Sequence, residues 1–192
     1  MKTVEVTLKS VVPLLMNRYG GEKPPEAKPR KKTQEWIEQA RKAKWMEAAH
    51  FENGQFIVTP DMIEGALFKA AARFRKKQDF KMAVMCVDLG TPLLVNRGDG
   101  RYAPVAGELE DFYIPEFIDI RGVPNASGQM VEQCRPIFRD WRVKFSLRFD
   151  EMIVNESEVK TACETMMLGS FLPRFGRSSL EEFKTNAKAK AA

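Results

Sequence analysis

Three cysteines in 192 residues, Cys86, Cys134 and Cys163, and a single histidine, His50, exclude two common ways of holding a small chain together. An odd number of thiols at wide spacings gives no disulfide framework, and one histidine beside them gives no zinc-ligand spacing. Reduced thiols are the expectation. A nucleophilic Cys/His pair would need one of the three to meet His50 in space, and no local spacing supports that. No apolar run approaches the roughly 18 residues that span a bilayer. The N-terminus, MKTVEVTLKSVV, alternates polar and apolar residues where a signal peptide would carry a continuous apolar block. A cytoplasmic protein without a membrane partner is therefore expected.

What is present suffices for a folded core. Hydrophobic residues make up 44% of the chain and charged residues 30%, too apolar a mixture for a disordered protein. The reading is one domain over residues 1–185, with insertions at about 15–54 and 84–135 and a disordered tail at 186–192. The formal net charge of +5 decides little alone, but the charge is segregated along the chain. Residues 22–44 carry +4, residues 69–81 carry +5 and residues 135–148 carry +4. Between the last two lies an acidic block of Glu108, Glu110, Asp111, Glu116 and Asp119. If the basic segments share one face they form a track for a polyanion; otherwise each is a separately solvated surface.

The periodicities outline the elements. Val4, Val6 and Leu8 alternate with polar residues, so a half-buried strand over 2–8 opens the chain. Pro13 and the Gly20-Gly21 pair end it, and EKPPEAKPRKK reads as an exposed loop. Trp36, Ile37, Ala40, Trp45 and Ala48 recur near helical spacing over 33–48, with Thr33 as cap. After a short strand at 55–58, Thr59 caps a helix with Pro60 at its first position and Asp61 at its positive end. Met62, Ile63, Ala66, Leu67, Ala70 and Phe74 form its apolar arc. Lys69, Arg73 and Lys76 form a cationic stripe along the edge of that arc.

Asn155 and Glu158 give a capping-box pattern, with Val159, Ala162, Cys163, Met166 and Met167 as a buried face and Gly169 as the stop. The most regular strand runs from Trp141 to Asp150. Its odd residues are apolar and its even ones include Arg142, Lys144 and Arg148, so one face is core and the other basic. That basic face is either a platform for a single strand of nucleic acid or a solvated surface. Residues 116–122 and 129–135 flank PNASG and read as a hairpin; residues 84–104 stay unassigned, with NRGDG as a turn. A last strand is expected at Arg174–Phe183. The order fits an α+β chain with a ferredoxin-like, RRM-like βαββαβ core carrying inserted loops and a hairpin.

Three stretches resemble the RAMP superfamily, the RRM-like proteins that form backbone and processing subunits of CRISPR effector complexes. VVPLLMNRYG resembles the loop after the family's first strand. FIVTPDMIEGALFKAAARFRK is similar to the strand, turn and helix with a Gly-Ala-Leu-basic core, here Gly65, Ala66, Leu67 and Lys69. LGSFLPRFGR resembles the glycine-rich loop before the last strand, with Gly169, Arg174, Phe175, Gly176 and Arg177. The turn TPDMIEG lacks the family's Gly-Ser-Ser, and the C-terminal loop is poorer in glycine, as in a divergent or phage-borne relative.

The resemblance implies a subunit that coats guide-type single-stranded RNA, assembles head-to-tail with copies of itself and joins further effector subunits. No cofactor, metal or catalytic residue is implied. Lys69, Arg73, Lys76, Arg135, Arg142, Lys144, Arg174 and Arg177 would meet phosphates, with Asn17 and Arg18 added by position. Phe175 would stack on a base or pack in the core. An RNA endonuclease of the same superfamily is the first alternative, with His50 as the proton-transfer group. Residues 9–54 hold no aspartate, which weighs against cleavage, and Glu22, Glu26 and Glu52 are the acids that could substitute in principle. A single-stranded DNA-binding protein or a decoy subunit is the other.

Overall fold

In a computed structural model the described residues are 1–18, 33–96, 98–124 and 127–185. The alternating valines and Leu8 form the buried side of β1 (Lys2–Ser10), followed past Pro13 by the short β2 (Leu14–Leu15). The proline-rich charged loop lies outside the described residues. α1 (Gln34–Ala48) begins where the Thr33 hydroxyl accepts the Trp36 N–H at 3.2 Å. β3 (Phe51–Glu52) and β4 (Gln55–Val58) turn back on each other through Asn53 and Gly54, both left-handed.

α2 (Pro60–Ala71) carries the expected cap and buries Ile63, Ala66, Leu67 and Ala70. It ends earlier than its spacing predicts. Residues 72–74 tighten into a 3-10 turn, and Arg75 takes a left-handed φ of 63° that lets the Lys76 N–H close onto the Ala71 carbonyl at 3.0 Å. The cationic stripe expected on one continuous helix is therefore broken between Lys69 and Lys76, which precedes α3 (Lys77–Ala83).

The stretch that periodicity left unassigned holds four short strands, β5 (Val84–Cys86), β6 (Thr91–Pro92), β7 (Leu94–Asn96) and β8 (Tyr102–Pro104). Strands this short carry too few alternations to register as a pattern. In NRGDG the Asn96 side-chain oxygen accepts from the N–H groups of Gly98 and Gly100, a local turn. β9 (Ile118–Pro124) and β10 (Met130–Phe138) form the expected hairpin, with Val123 opposite Val131 and Asp119 opposite Arg135.

β11 (Trp141–Phe149) alternates as read: Trp141, Val143, Phe145, Leu147 and Phe149 are all buried, and the Trp141 indole donates to the Val12 carbonyl at 3.1 Å. α4 (Glu156–Thr165) has both halves of the capping box, each at 3.0 Å. It stops at Thr165, four residues short of Gly169. β12 (Ser178–Thr185) begins four residues later than expected, because Arg174 and Phe175 belong to the preceding turn. The tail beyond it lies outside the described residues.

The main sheet runs β12, β1, β11, β7, β8, with β5 pairing the far end of β11. β1 lies between β12 and β11, antiparallel to both, and β5 is antiparallel to β11. α2 and α4 cover one face: Ile63, Leu67, Val159 and Ala162 share a core with Val6, Leu8, Val143 and Phe145. Each of these side chains except the smaller Ala162 contributes about 1.5–3 kcal/mol by leaving water. Two smaller sheets, β2-β10-β9 and β3-β4-β6, complete the structure. α1 packs on β10 and sends Trp45 into the same core, where it meets Phe56 and Tyr113 edge-on and its indole donates to the Phe117 carbonyl at 2.8 Å.

All three cysteines are free and buried. Burial pushes the thiols of Cys86 and Cys134 up to about 11 and that of Cys163 to about 12, so none is a thiolate nucleophile at neutral pH. Among the described residues no helix is long and apolar enough to cross a membrane.

Candidate nucleic-acid interface

The glycine-rich loop between α4 and β12 is clamped against the segment around β2. Leu168 N–H donates to the Gly176 carbonyl at 2.9 Å, Gly176 N–H to the Pro13 carbonyl at 2.8 Å, and Ser170 N–H to the Leu15 carbonyl at 3.0 Å. Such close backbone approach demands glycine. A Cβ on Gly169 would lie 2.5 Å from the Leu15 oxygen, and one on Gly176 only 1.6 Å from the Leu168 oxygen; both residues also have positive φ.

This clamp builds one wall of a cleft of about 140 Å³. Gly169 and Ser170 come from the loop, Asn17 from the chain leaving β2, His50 from the link between α1 and β3, and Asp61, Gly65 and Lys69 from one side of α2. All three stretches that carry the family resemblance thus contribute to a single cleft. Small residues leave it open, while Asn17 and Lys69 offer hydrogen-bond donors and one cation.

His50 is half-buried in this wall. Burial holds its pKa below the ordinary 6.5; the charge of Arg18 pushes the same way, and Glu52 opposes. The imidazole is thus neutral at pH 7. Because the unfolded chain protonates first as pH falls through 6.5, His50 removes stability on acidification and contributes no pH dependence above that point. The melting temperature of the free protein is expected to fall between pH 7 and 5 more than that of a His50→Gln variant, as thermal scans would read. Parallel profiles would exclude this assignment.

The remaining predicted contacts do not join the cleft in one track. Lys76 pairs with Asp79 at 3.0 Å and with Glu158 at 3.8 Å. Arg135 lies over Phe171 at 4.7 Å, on the β9–β10 sheet. Arg73, Arg174 and Arg177 are exposed. Arg41 and Lys44, from the first basic segment, both bond Glu132.

On the open face of β11 two of the three expected bases are ion-paired. Lys144 pairs with Glu5 at 2.9 Å, and Arg142 pairs with Glu181 while lying 4.0 Å over the Tyr102 ring. Acids from β1 and β12 neutralise Lys144 and Arg142, Arg148 stays exposed, and Tyr102 is covered. Phe175 is likewise no free stacking surface: it is 7% exposed, packed with Leu15 and Ile137, and capped at 4.5 Å by Arg121. Of the acidic block, Asp119 pairs with Arg121, and Glu108, Glu110 and Asp111 are exposed on the connection between β8 and β9.

Asp61, expected only to favour the positive end of its helix, and Ser170, inside the LGSFLPRFGR stretch, line the cleft as well. Among the described residues no group of three His, Cys, Asp or Glu side chains could hold a metal ion. No family model matches the chain, and no curated protein matches it.

Proposed function

We propose that this protein is a backbone-type RNA-binding subunit of the RAMP kind, built on a ferredoxin-like βαββαβ core, and that its cleft grips the backbone of guide-type single-stranded RNA. The strand order β12-β1-β11-β5, with α2 between β1 and β5 and α4 between β11 and β12, supports the core assignment. The observation that carries the function is the convergence of Asn17, Lys69 and the Gly169–Ser170 loop on one cleft. Arg18, exposed and next in the chain to Asn17, adds a cation beside it. Further copies of the chain and other effector subunits are its proposed protein partners.

An electrophoretic or anisotropy titration with single-stranded RNA across a salt series tests this. Two to four phosphate contacts predict that log K falls with log salt at a slope of about −1.4 to −2.8, at roughly 0.7 per contact on a single strand. No binding at low salt, or a flat slope, would sink the proposal.

His50 in the wall gives a specific ground for a second reading, an RNA endonuclease using the imidazole for proton transfer beside Lys69. The same RNA, run on a denaturing gel with and without divalent metal, decides it: intact RNA removes the enzyme.

A further inference from the structure

The acceptor groups of the cleft have no use for a phosphate. Asp61, an exposed residue of the lining, has a carboxylate that makes no hydrogen bond or ion pair among the described residues. The Ser170 hydroxyl donates to the Leu15 carbonyl at 3.2 Å, which leaves its oxygen to the cleft as an acceptor. Phosphate oxygens are acceptors only, so a phosphodiester alone would satisfy Lys69 and Asn17 and repel Asp61. A ligand that fits this set must bring a donor next to its anion.

We propose that Asp61 accepts the 2′-hydroxyl of the ribose next to a phosphate held by Lys69 and Asn17, so that the cleft distinguishes RNA from single-stranded DNA. This rests on the RNA-binding reading above. The 2′-hydroxyl is the one donor that every RNA sugar offers beside its phosphate and that DNA lacks.

Gly65 is a second, independent observation. It sits inside α2, where glycine costs stability against alanine, and a Cβ there would meet nothing within 4 Å. Protein packing therefore does not demand the glycine. Its bare backbone lines the cleft one turn from Asp61, as close approach of a sugar requires.

The full chain is titrated by fluorescence anisotropy with matched single-stranded RNA, DNA and 2′-O-methyl RNA. The wild type is expected to bind RNA about tenfold more tightly than either analogue, the scale of one hydrogen bond to a charged acceptor. Asp61→Ala should bind all three within about twofold of one another, with DNA affinity unchanged or raised because a repelling charge is gone. Gly65→Ala should melt at the same temperature or higher yet bind RNA more weakly, which separates the contact from folding. Equal wild-type affinity for all three strands overturns the ribose contact and leaves RNA binding standing. A preference that survives Asp61→Ala, or full RNA affinity in Gly65→Ala, overturns it too. Binding to none of the strands removes the underlying reading as well.

Discussion

Gly176→Ala is expected to destabilise the protein by about 3–4 kcal/mol and to lower its melting temperature by roughly 10 °C. Two costs combine. Alanine at a φ of 73° sacrifices about 1–2 kcal/mol, because its Cβ crowds the carbonyl in the left-handed region. The new methyl would also stand 1.6 Å from the Leu168 oxygen and 2.7 Å from its carbon, which are backbone atoms with no rotamer to yield. Opening that contact breaks the Leu168–Gly176 and Gly176–Pro13 hydrogen bonds, each contributing about 1 kcal/mol. Gly128 is the control: its φ is 80°, but nothing lies within 4 Å of the added methyl. Gly128→Ala should cost about 1 kcal/mol. Circular-dichroism melting of the two variants separates close approach from backbone strain; equal losses would mean that the clamp contributes nothing. Because the clamp forms the cleft wall, Gly176→Ala should weaken RNA binding at temperatures where it is still folded.

Lys69→Glu is expected to weaken RNA binding by about 2 kcal/mol, roughly thirtyfold, and to flatten the salt slope. Lys69 lines the cleft and makes no ion pair among the described residues, so its charge is available to a ligand. Reversal removes a charge-assisted contact and adds a repulsion without disturbing the core, since Lys69 is exposed. Lys144→Glu supplies the contrast. That lysine is already held by Glu5 on the open sheet face, and its reversal should change affinity less than threefold. Equal losses at both positions would return the interface to the sheet face and empty the cleft of its proposed role.

These two variants also mark where local sequence information ends. The strand alternation of Val4, Val6 and Leu8, and of Trp141 through Phe149, was legible because side chains on a strand point to opposite faces every second residue. The caps at Thr33, Thr59 and Asn155 were legible for an equally local reason, an oxygen placed to receive an N–H three residues on. The break after Ala71 was not, because it depends on Arg75 adopting a left-handed conformation that no proline or glycine announces. The four short strands between Val84 and Pro104 offered too few residues for a period to emerge.

Sequence alone determined which residues of β1 and β11 turn inward, where α1, α2 and α4 begin, and that cations concentrate in particular segments. Tertiary structure decided what those cations face. The bases of β11 looked free when read along β11, but strand order sets β1 beside it and β12 one strand beyond, bringing Glu5 to Lys144 and Glu181 to Arg142. The cleft is equally non-local, gathering positions 17, 50, 61–69 and 169–170. The physical reason is the same in both cases. Periodicity is a property of adjacent residues, whereas the partner of a charge is set by which distant strand or loop the fold carries alongside it.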